Sequence, residues 1–285
     1  MKNTLRHTSF AAFAALALAA PVWAANAEPT VRIVAPAMGA APITTAEIPV
    51  TVAASNFDVE CKNVGQPAKS GRGHYHVMID GMTMAQMTNL YCTDSFAISG
   101  VGLKSGEHTL AVVLASDDHV NVGKPAMTKF VYQPITSHPL PKAQDAQKPV
   151  VTILSPQNGT TVGRKVDVRV AVSGFDLSCD LEGKPNVAGY GHLHVFVLQD
   201  GTMAPAMGGA HGDGEKGEMK GDGMKMGGME SMAMPGMVGM PCTKTVALDL
   251  SAWKPGKTKL MVMLANNDHM PTAGAVPAIV DVTIK

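Results

Sequence analysis

The sequence predicts an all-β protein built from two tandem copies of one small domain, each closed by a disulfide. Three observations indicate this: an internal repeat, four cysteines divided evenly between the repeats, and short segments rich in Val and Ile. Gly, Pro, Asn and Asp separate these segments, as is typical of strands joined by turns. No stretch shows the periodicity of an amphipathic helix.

The repeat covers residues 31–134 and 150–285. The segment G-R-G-H-Y-H-V (71–77) matches G-Y-G-H-L-H-V (189–195), and T-L-A-V-V-L-A-S-D-D-H (109–119) matches K-L-M-V-M-L-A-N-N-D-H (259–269). An insertion at 201–240 lengthens the second copy. Duplication followed by one insertion explains the pattern, because self-similarity at this scale indicates repeated structural units.

The cysteines keep the same spacing in both copies. Cys61 and Cys179 each precede the first histidine of the H-x-H motif by 13 residues, and Cys92 and Cys242 each precede a later D-H motif's histidine by 27. The repeat favours one disulfide per copy, Cys61–Cys92 and Cys179–Cys242. Free or cross-domain thiols are the alternative, because sequence alone does not fix the pairing.

The predicted strands include 49–53, 75–79, 110–114 and 130–132, and Val166–Val172 alternates apolar and polar residues. Two copies of about 100 residues with such strands predict two immunoglobulin-like β-sandwiches. A small β-barrel is the structural alternative. The predicted domains are 28–134 and 150–285, and a Pro-rich linker at 135–149 joins them.

The N-terminus predicts export. Lys2 and Arg6 precede the short apolar run Phe10–Ala20, and small residues offer cleavage after Ala24 or Ala27. This is the layout of a secretory signal peptide at 1–27, so we expect a periplasmic or secreted protein with no membrane span. With 23 basic and 23 acidic residues, the formal charge is zero and bulk electrostatics do not favour a nucleic-acid partner.

The histidines are the main candidate metal ligands. In a strand, His74 and His76 lie on one face with Met78, while Tyr75, Val77 and Ile79 lie on the other. The second copy repeats this arrangement, and a further histidine ends another strand in each copy. The predicted ligand sets are His74, His76 and His119, with Met78, and His192, His194 and His269. Imidazole suits copper and zinc. A duplicated structural histidine cluster is the alternative.

Carboxylates beside these histidines are candidates to orient the rings. Asp80 and Asp118 are predicted to accept hydrogen bonds from ligand rings. Met82, Met84 and Met87 follow Met78 closely and are additional soft candidates. His108 has no counterpart in the second copy, where Thr258 stands, and it is predicted to lie on the surface.

The insertion at 201–240 contains ten of the 20 methionines and twelve glycines. Such a Gly-rich segment is predicted to form a mobile loop whose methionines do not pack in a core. Neutral thioether sulfur selects Cu(I). The predicted ligands in the insertion are His211, Met224, Met226, Met229, Met232, Met234, Met237 and Met240. There are two alternatives: the methionines form an apolar surface that binds a partner protein, or the insertion is low-complexity sequence without function.

Two resemblances bear on function. The motifs G-x-G-H-x-H-V and D-H, at Gly73–Val77 and Asp118–His119 and again in the second copy, resemble exported bacterial Ig-like modules. The M-x-M and M-x-x-M run resembles the Met-rich segments of periplasmic copper-resistance proteins. The second resemblance implies copper as the cofactor and a periplasmic copper-handling partner.

The sequence therefore favours a periplasmic copper-binding protein for sequestration, tolerance or delivery. A tandem adhesion or protein-interaction module without metal is the alternative. We expect no enzyme, because the chain shows no nucleophile elbow, no H-E-x-x-H and no acid–base pair.

Overall fold

The computed structural model of the protein describes residues 27–145, 147–199 and 234–285. Within these residues almost all regular structure is β-strand, accompanied by two short 3₁₀ turns, at Met84–Gln86 and Cys179–Leu181. The predicted signal peptide, apart from residue 27, and most of the predicted insertion lie outside the described residues. No helix in the described part of the chain is long and apolar enough to span a bilayer.

The first copy folds into two antiparallel-rich sheets. Its strands are β1 (Thr30–Ala35), β2 (Glu47–Ser55), β3 (Asp58–Val59), β4 (Arg72–Ile79), β5 (Met87–Tyr91), β6 (Ser95–Ser99), β7 (Gly106–Ser116) and β8 (Asn121–Tyr132). One sheet has the order β1-β2-β6, and the other has the order β3-β4-β7-β8, with β5 also paired to β4. The two sheets form a β-sandwich.

The second copy repeats this architecture. Its strands are β9 (Val150–Ser155), β10 (Thr160–Val162), β11 (Lys165–Ser173), β12 (Asp176–Leu177), β13 (Tyr190–Leu198), β14 (Met237–Gly239), β15 (Thr245–Asp249), β16 (Gly256–Ala265) and β17 (Ala278–Ile284). One sheet has the order β9-β11-β15, and the other has the order β10-β17-β16-β13-β12, with β14 also paired to β13. Strand β13 is therefore the counterpart of β4, and β16 of β7.

Alternation along the strands builds the core of each sandwich. In β4, Tyr75, Val77 and Ile79 face inward, and they share one buried cluster with Val50 of β2 and Val112 of β7. The second core is built in the same way around alternate residues of β13, which are Leu193, Val195 and Val197. The prediction of an all-β chain with two tandem immunoglobulin-like sandwiches is confirmed.

Both predicted disulfides are present. Cys61 is bonded to Cys92 and Cys179 to Cys242, with Cα atoms 5.4 and 5.5 Å apart. Each bridge ties the segment before the H-x-H strand to the segment after β5 or β14. The described residues contain no free cysteine.

The remaining faces of β4 and β13 pack against each other. A third apolar cluster contains residues from both copies, and its buried members include Met78, Met87, Phe196, Met237 and Met263. The face that the sequence placed on the outside of each domain is therefore an interface between the two domains. Burial of large apolar side chains makes this interface a third core.

Candidate metal sites

The two histidines of each H-x-H motif lie side by side on the interdomain face. In β4, His74 Nε2 lies 3.0 Å from His76 Nε2. In β13, His192 Nε2 lies 3.0 Å from His194 Nε2. Two imidazole nitrogens that share one ion at about 2.0 Å lie about 3 Å apart, so each pair already has ligand spacing.

A third histidine completes each group. His119 follows β7 and His269 follows β16, and the register of these strands against β4 and β13 brings the turns beside the H-x-H pairs. In each trio, one nitrogen from every ring lies within 4.8 Å of the others. We call His74, His76 and His119 site one, and His192, His194 and His269 site two. The predicted groupings are those that the structure brings together.

The third histidine adopts the same unusual backbone in both sites. His119 has φ 69° and His269 has φ 66°, in the left-handed region that residues other than Gly seldom occupy. Such conformations cost about 1–3 kcal/mol and occur where surrounding structure imposes them, often at functional sites. In both domains this turn directs the ring toward the H-x-H pair.

Each third histidine is also bonded to the opposite domain. His119 Nε2 lies 3.0 Å from the carbonyl oxygen of Met237 in β14, and His269 Nε2 lies 2.6 Å from that of Met87 in β5. Because a carbonyl only accepts, each Nε2 carries the hydrogen. The neutral ring then has its lone pair on Nδ1, which is the nitrogen that would bind an ion.

All six rings are buried, with 0–4 % of each residue exposed. Burial lowers the pKa of every ring, and neighbouring histidines lower the pKa of His74 and His192 further. The pKa of His76 falls to about 3 and that of His119 to about 4. The imidazoles are therefore neutral near pH 7, which is the form that binds metal.

The two sites are close enough to influence each other. The charged form of His269 contributes to the low pKa of His76, and that of His119 contributes to the low pKa of His194. The interdomain face thus gathers both histidine clusters into one buried region.

Several ring nitrogens have no hydrogen-bond partner within the described residues. They are His74 Nδ1, His192 Nδ1 and His269 Nδ1. A buried polar atom without a partner is costly, about 1–3 kcal/mol, and usually has a specific reason. For His269 this Nδ1 is the nitrogen that carries the lone pair, so a bound cation would supply the missing partner.

The carboxylates predicted to orient ligand rings have other partners. Asp80 bonds His108 Nδ1 at 2.6 Å and accepts the backbone N–H of Thr109, so its prediction as a ligand-orienting group is wrong. Asp118 accepts a hydrogen bond from Ser116. The prediction that His108 is a surface residue is also wrong, because this ring is buried between Asp80 and the Lys104 carbonyl.

Asn121 is the residue that orients a ring in site one. Its Oδ1 lies 3.0 Å from His76 Nδ1, so this nitrogen donates and Nε2 keeps the lone pair toward the site. Asn121 was not among the predicted site residues, because it lies two residues beyond the D-H motif and is not part of the repeated pattern. At the matching position after His269, the second copy has Pro271.

The end of the insertion is not the mobile loop that the sequence predicts. Met237–Gly239 form β14, and Met237 and Met240 are buried in the interdomain cluster, with Met234 partly buried against it. The sequence did not indicate this strand, because its Met- and Gly-rich composition is not typical of strands and does not resemble the sequence of its counterpart, β5. The remaining predicted ligands of the insertion lie outside the described residues: His211, Met224, Met226, Met229 and Met232.

Thioether groups flank both histidine trios. Met78 follows His76 by two residues on the same face of β4. Met263 of β16 stands directly opposite His194 of β13, a position the sequence analysis overlooked. Directly opposed residues have Cβ atoms about 5 Å apart, and residues two apart on one strand face have Cα atoms about 7 Å apart, so Met263 and Met78 each lie near one trio.

Three neutral imidazoles beside thioethers form a donor set for a transition metal. Either His trio has the nitrogen ligands and spacing to hold an ion, and a three-histidine set suits copper or zinc. A closed, water-poor surrounding of this kind favours retention of an ion.

Solved structures similar to this chain are β-rich modules at low sequence identity. Fibronectin(III)-like modules of CbhA from Clostridium thermocellum match 90 % of this chain and 94 % of theirs, with 11 % identity and a TM-score of 0.25. A putative membrane-anchored protein from Corynebacterium diphtheriae matches 90 % of this chain and 58 % of its own, with 9 % identity and a TM-score of 0.25.

A tetra-tandem repeat from the extending region of a large adhesion protein matches 90 % of this chain and 48 % of its own, with 10 % identity and a TM-score of 0.20. No protein-family model and no curated protein matches the sequence. The function is therefore inferred from the residues of the chain itself.

Proposed function

We propose that this chain is an exported copper-binding protein that holds one ion in each of its two buried three-histidine sites. The observation that carries the proposal is the pair of matching trios, each with ligand nitrogens within 4.8 Å. The role would be sequestration, tolerance or delivery of copper in the periplasm.

The state of the rings supports metal binding over a structural cluster. A structural histidine cluster would satisfy its polar atoms internally, yet the buried Nδ1 of His269, the nitrogen that carries this ring's lone pair, has no partner among the described residues. Burial also keeps the rings neutral, so no proton needs to leave before an ion binds. In each H-x-H pair one Nε2 now donates to the other, so ion binding would move that hydrogen to Nδ1 and turn both Nε2 lone pairs to the ion.

Copper is favoured over zinc by the thioethers. Nine methionines pack in or against the interdomain cluster, and seven more occur at 203–232. Thioether sulfur is soft and prefers Cu(I), whereas zinc prefers imidazole, thiolate and carboxylate. The chain would then have two kinds of site: buried histidine trios, and Met-rich sequence in the insertion that captures Cu(I).

Export is supported by two features. The N-terminal segment has the layout of a signal peptide, and both disulfides are of the kind that persists in oxidising compartments. Thioethers need no deprotonation and do not oxidise to disulfides, so they suit such a compartment. A periplasmic copper-handling protein is the proposed partner.

We propose binding without catalysis. Catalytic metal sites keep a coordination position open to substrate, and the six histidines are almost completely buried between the domains. The same burial weighs against a docking role for this face, since each domain already covers the face of the other.

A competition titration tests the proposal. The mature, disulfide-intact chain is titrated with Cu(I), Cu(II) and Zn(II) against chromophoric chelators. One variant lacks residues 203–233, which leaves seven residues between β13 and β14, the same number as between β4 and β5. This deletion spares Met237 and Met240, which pack in the interdomain cluster.

Two histidine variants complete the set: His74→Ala/His76→Ala for site one, and His192→Ala/His194→Ala for site two. We expect the deletion variant to retain two tightly bound copper ions and each histidine variant to lose one of them. Copper binding weaker than micromolar by the deletion variant, or binding that both histidine variants retain in full, would contradict the proposal.

A further inference from the structure

A buried carboxyl group lies beside site two. Glu182 Oε1 lies 4.0 Å from His192 Nδ1, and this nitrogen has no hydrogen-bond partner within the described residues. His192 turns its other nitrogen, Nε2, toward His194. When Nε2 binds an ion, Nδ1 carries the hydrogen and points at a carboxylate, an arrangement that orients the ring and makes it a stronger ligand.

The chain holds Glu182 in place from several sides. It directly follows the 3₁₀ turn Cys179–Leu181, and its backbone N–H donates to the Cys179 carbonyl. Its Oε1 lies 3.5 Å from Cys242 Sγ in the disulfide. Asn89 of the other domain donates a hydrogen bond to its carboxyl group. Only 2 % of Glu182 is exposed, so this acid is fixed at the interdomain face.

Glu182 forms no ion pair with a lysine or arginine within the described residues, and its burial favours the neutral carboxyl group unless a cation lies beside it. Lys184, two residues further along, is buried too, but its Nζ has no hydrogen-bond partner within the described residues. Glu182 and Lys184 therefore do not neutralise each other by a direct bond. A divalent ion at site two would supply the positive charge that the Glu182 carboxylate lacks.

Site one has no such group at the matching position. Gly65 and Gly183 are structural counterparts, because each donates its backbone N–H to the residue two before the third histidine, Asp117 or Asn267. The residue before Gly183 is Glu182, and the residue before Gly65 is Val64, which is buried and apolar. The carboxyl group of Asp117 is bonded instead to Arg72.

We infer that Glu182 makes site two selective for a divalent ion, while site one, with Val64 in its place, favours a monovalent ion. Glu182 acts as a positioning residue through His192 and also compensates the second positive charge. The inference rests on the proposed function, since it assigns a different copper oxidation state to each site: Cu(II) to site two and Cu(I) to site one.

The test isolates site two. The starting chain lacks residues 203–233 and carries His74→Ala/His76→Ala, so site two is the only trio left. Affinities for Zn(II), a redox-inert divalent probe, and for Cu(I) are measured with and without Glu182→Gln. The control is Asp180→Asn, which removes an equal charge from an exposed side chain two residues away.

We expect Glu182→Gln to weaken Zn(II) binding by about 10- to 100-fold, the range for changes to groups around the ligands, because glutamine lacks the negative charge that compensates the second positive charge. Cu(I) affinity should change by less than about threefold, because glutamine still accepts a hydrogen bond. Asp180→Asn should leave both affinities within about twofold, since exposed charges are screened.

Two results would overturn the inference while leaving the proposed function intact: unchanged Zn(II) affinity in Glu182→Gln, or equal losses for Zn(II) and Cu(I), which indicate a structural role. Failure of the starting chain to bind either ion would instead count against the proposed function. A reciprocal chain with His192→Ala/His194→Ala shows whether site one binds Cu(I) more tightly, relative to Zn(II), than site two does.

Discussion

Site one and site two share their ligands and differ in what surrounds them. Both have an H-x-H pair with Nε2 atoms 3.0 Å apart, and both have a third histidine in a left-handed turn. Around site one stand Asn121 and Val64; the matching positions around site two are Pro271 and Glu182. The two copies thus share the ligands that would bind an ion, but they differ in the charge beside the site and in the residues that orient the histidine rings.

The shared features also include the contact between the domains. His119 bonds the Met237 carbonyl and His269 bonds the Met87 carbonyl, so the two bonds are equivalent contacts made by matching elements of the two copies. One ring in each copy is therefore both a candidate ligand and a bridge to the other domain. Metal binding and domain docking would use the same residues.

The largest expected effect is loss of stability in acid. The unfolded histidine pKa is about 6.5, and the folded values of His76 and His119 are about 3 and 4. Below pH 6.5 the unfolded chain binds protons that the folded chain does not, so stability falls as pH falls toward 4. At pH 5 these two rings together should lower the free energy of unfolding by about 4 kcal/mol relative to its value at neutral pH.

Denaturant unfolding of the metal-free protein between pH 7.5 and 4.5 checks this. His76→Gln/His119→Gln serves as the comparison, because it removes two of the titrating rings and should flatten the profile. A wild-type profile that is flat across this range would mean that the rings are not buried as neutral groups.

The next prediction compares the two methionines whose backbone carbonyls accept hydrogen bonds from the third histidines. Met87 and Met237 are both buried in the interdomain cluster, so replacing either with Ala should cost about 2–5 kcal/mol of unfolding free energy. Met127→Ala is the control; that side chain is 55 % exposed, and its loss should cost less than about 0.5 kcal/mol.

Unfolding by urea, at neutral pH and without metal, measures all three variants. If Met237→Ala lowers the free energy of unfolding as little as Met127→Ala does, β14 is not equivalent to β5. Met237 would then lie in an exposed loop, as its composition suggests.

The smallest effect sharpens the difference between the sites. Asn121→Ala removes the acceptor that orients His76, so copper affinity at site one should fall by about tenfold. Site two has Pro271 at that position and should keep its affinity. Titrations in the two histidine-variant backgrounds separate the sites, and an equal fall at both would show that Asn121 acts through the interface as a whole.

Much of the architecture could be predicted from the sequence. Period-two alternation in 75–79 indicated which side chains face the core, and the repeated Cys spacing indicated both disulfides. The histidine trios followed from the same repeat, because matching motifs at matching positions indicate matching places in two copies of one fold.

The interface between the domains could not be predicted, because strand alternation says which face a side chain is on and not what covers that face. Asp80 and His108 pair with each other only because β4 and β7 are adjacent, a relation between distant segments. Met237 was assigned to a loop because its Gly- and Met-rich surroundings lack the Val and Ile that mark a strand.

Glu182 illustrates a second limit. The residue stands ten positions before His192 in a segment without regular periodicity, and only the fold brings its carboxyl group to the ring. An alignment of the two copies places Glu182 opposite Val64, and that difference becomes meaningful once both residues are known to be buried beside the histidines.

The most direct test of the account is a crystal structure of the copper-loaded protein with anomalous data at the copper edge. We predict two anomalous peaks between the domains, each bonded at about 2 Å to Nε2 of both H-x-H histidines and Nδ1 of the third. Copper bound to the crystal elsewhere, with neither trio occupied, would contradict the claim that these trios are the metal sites.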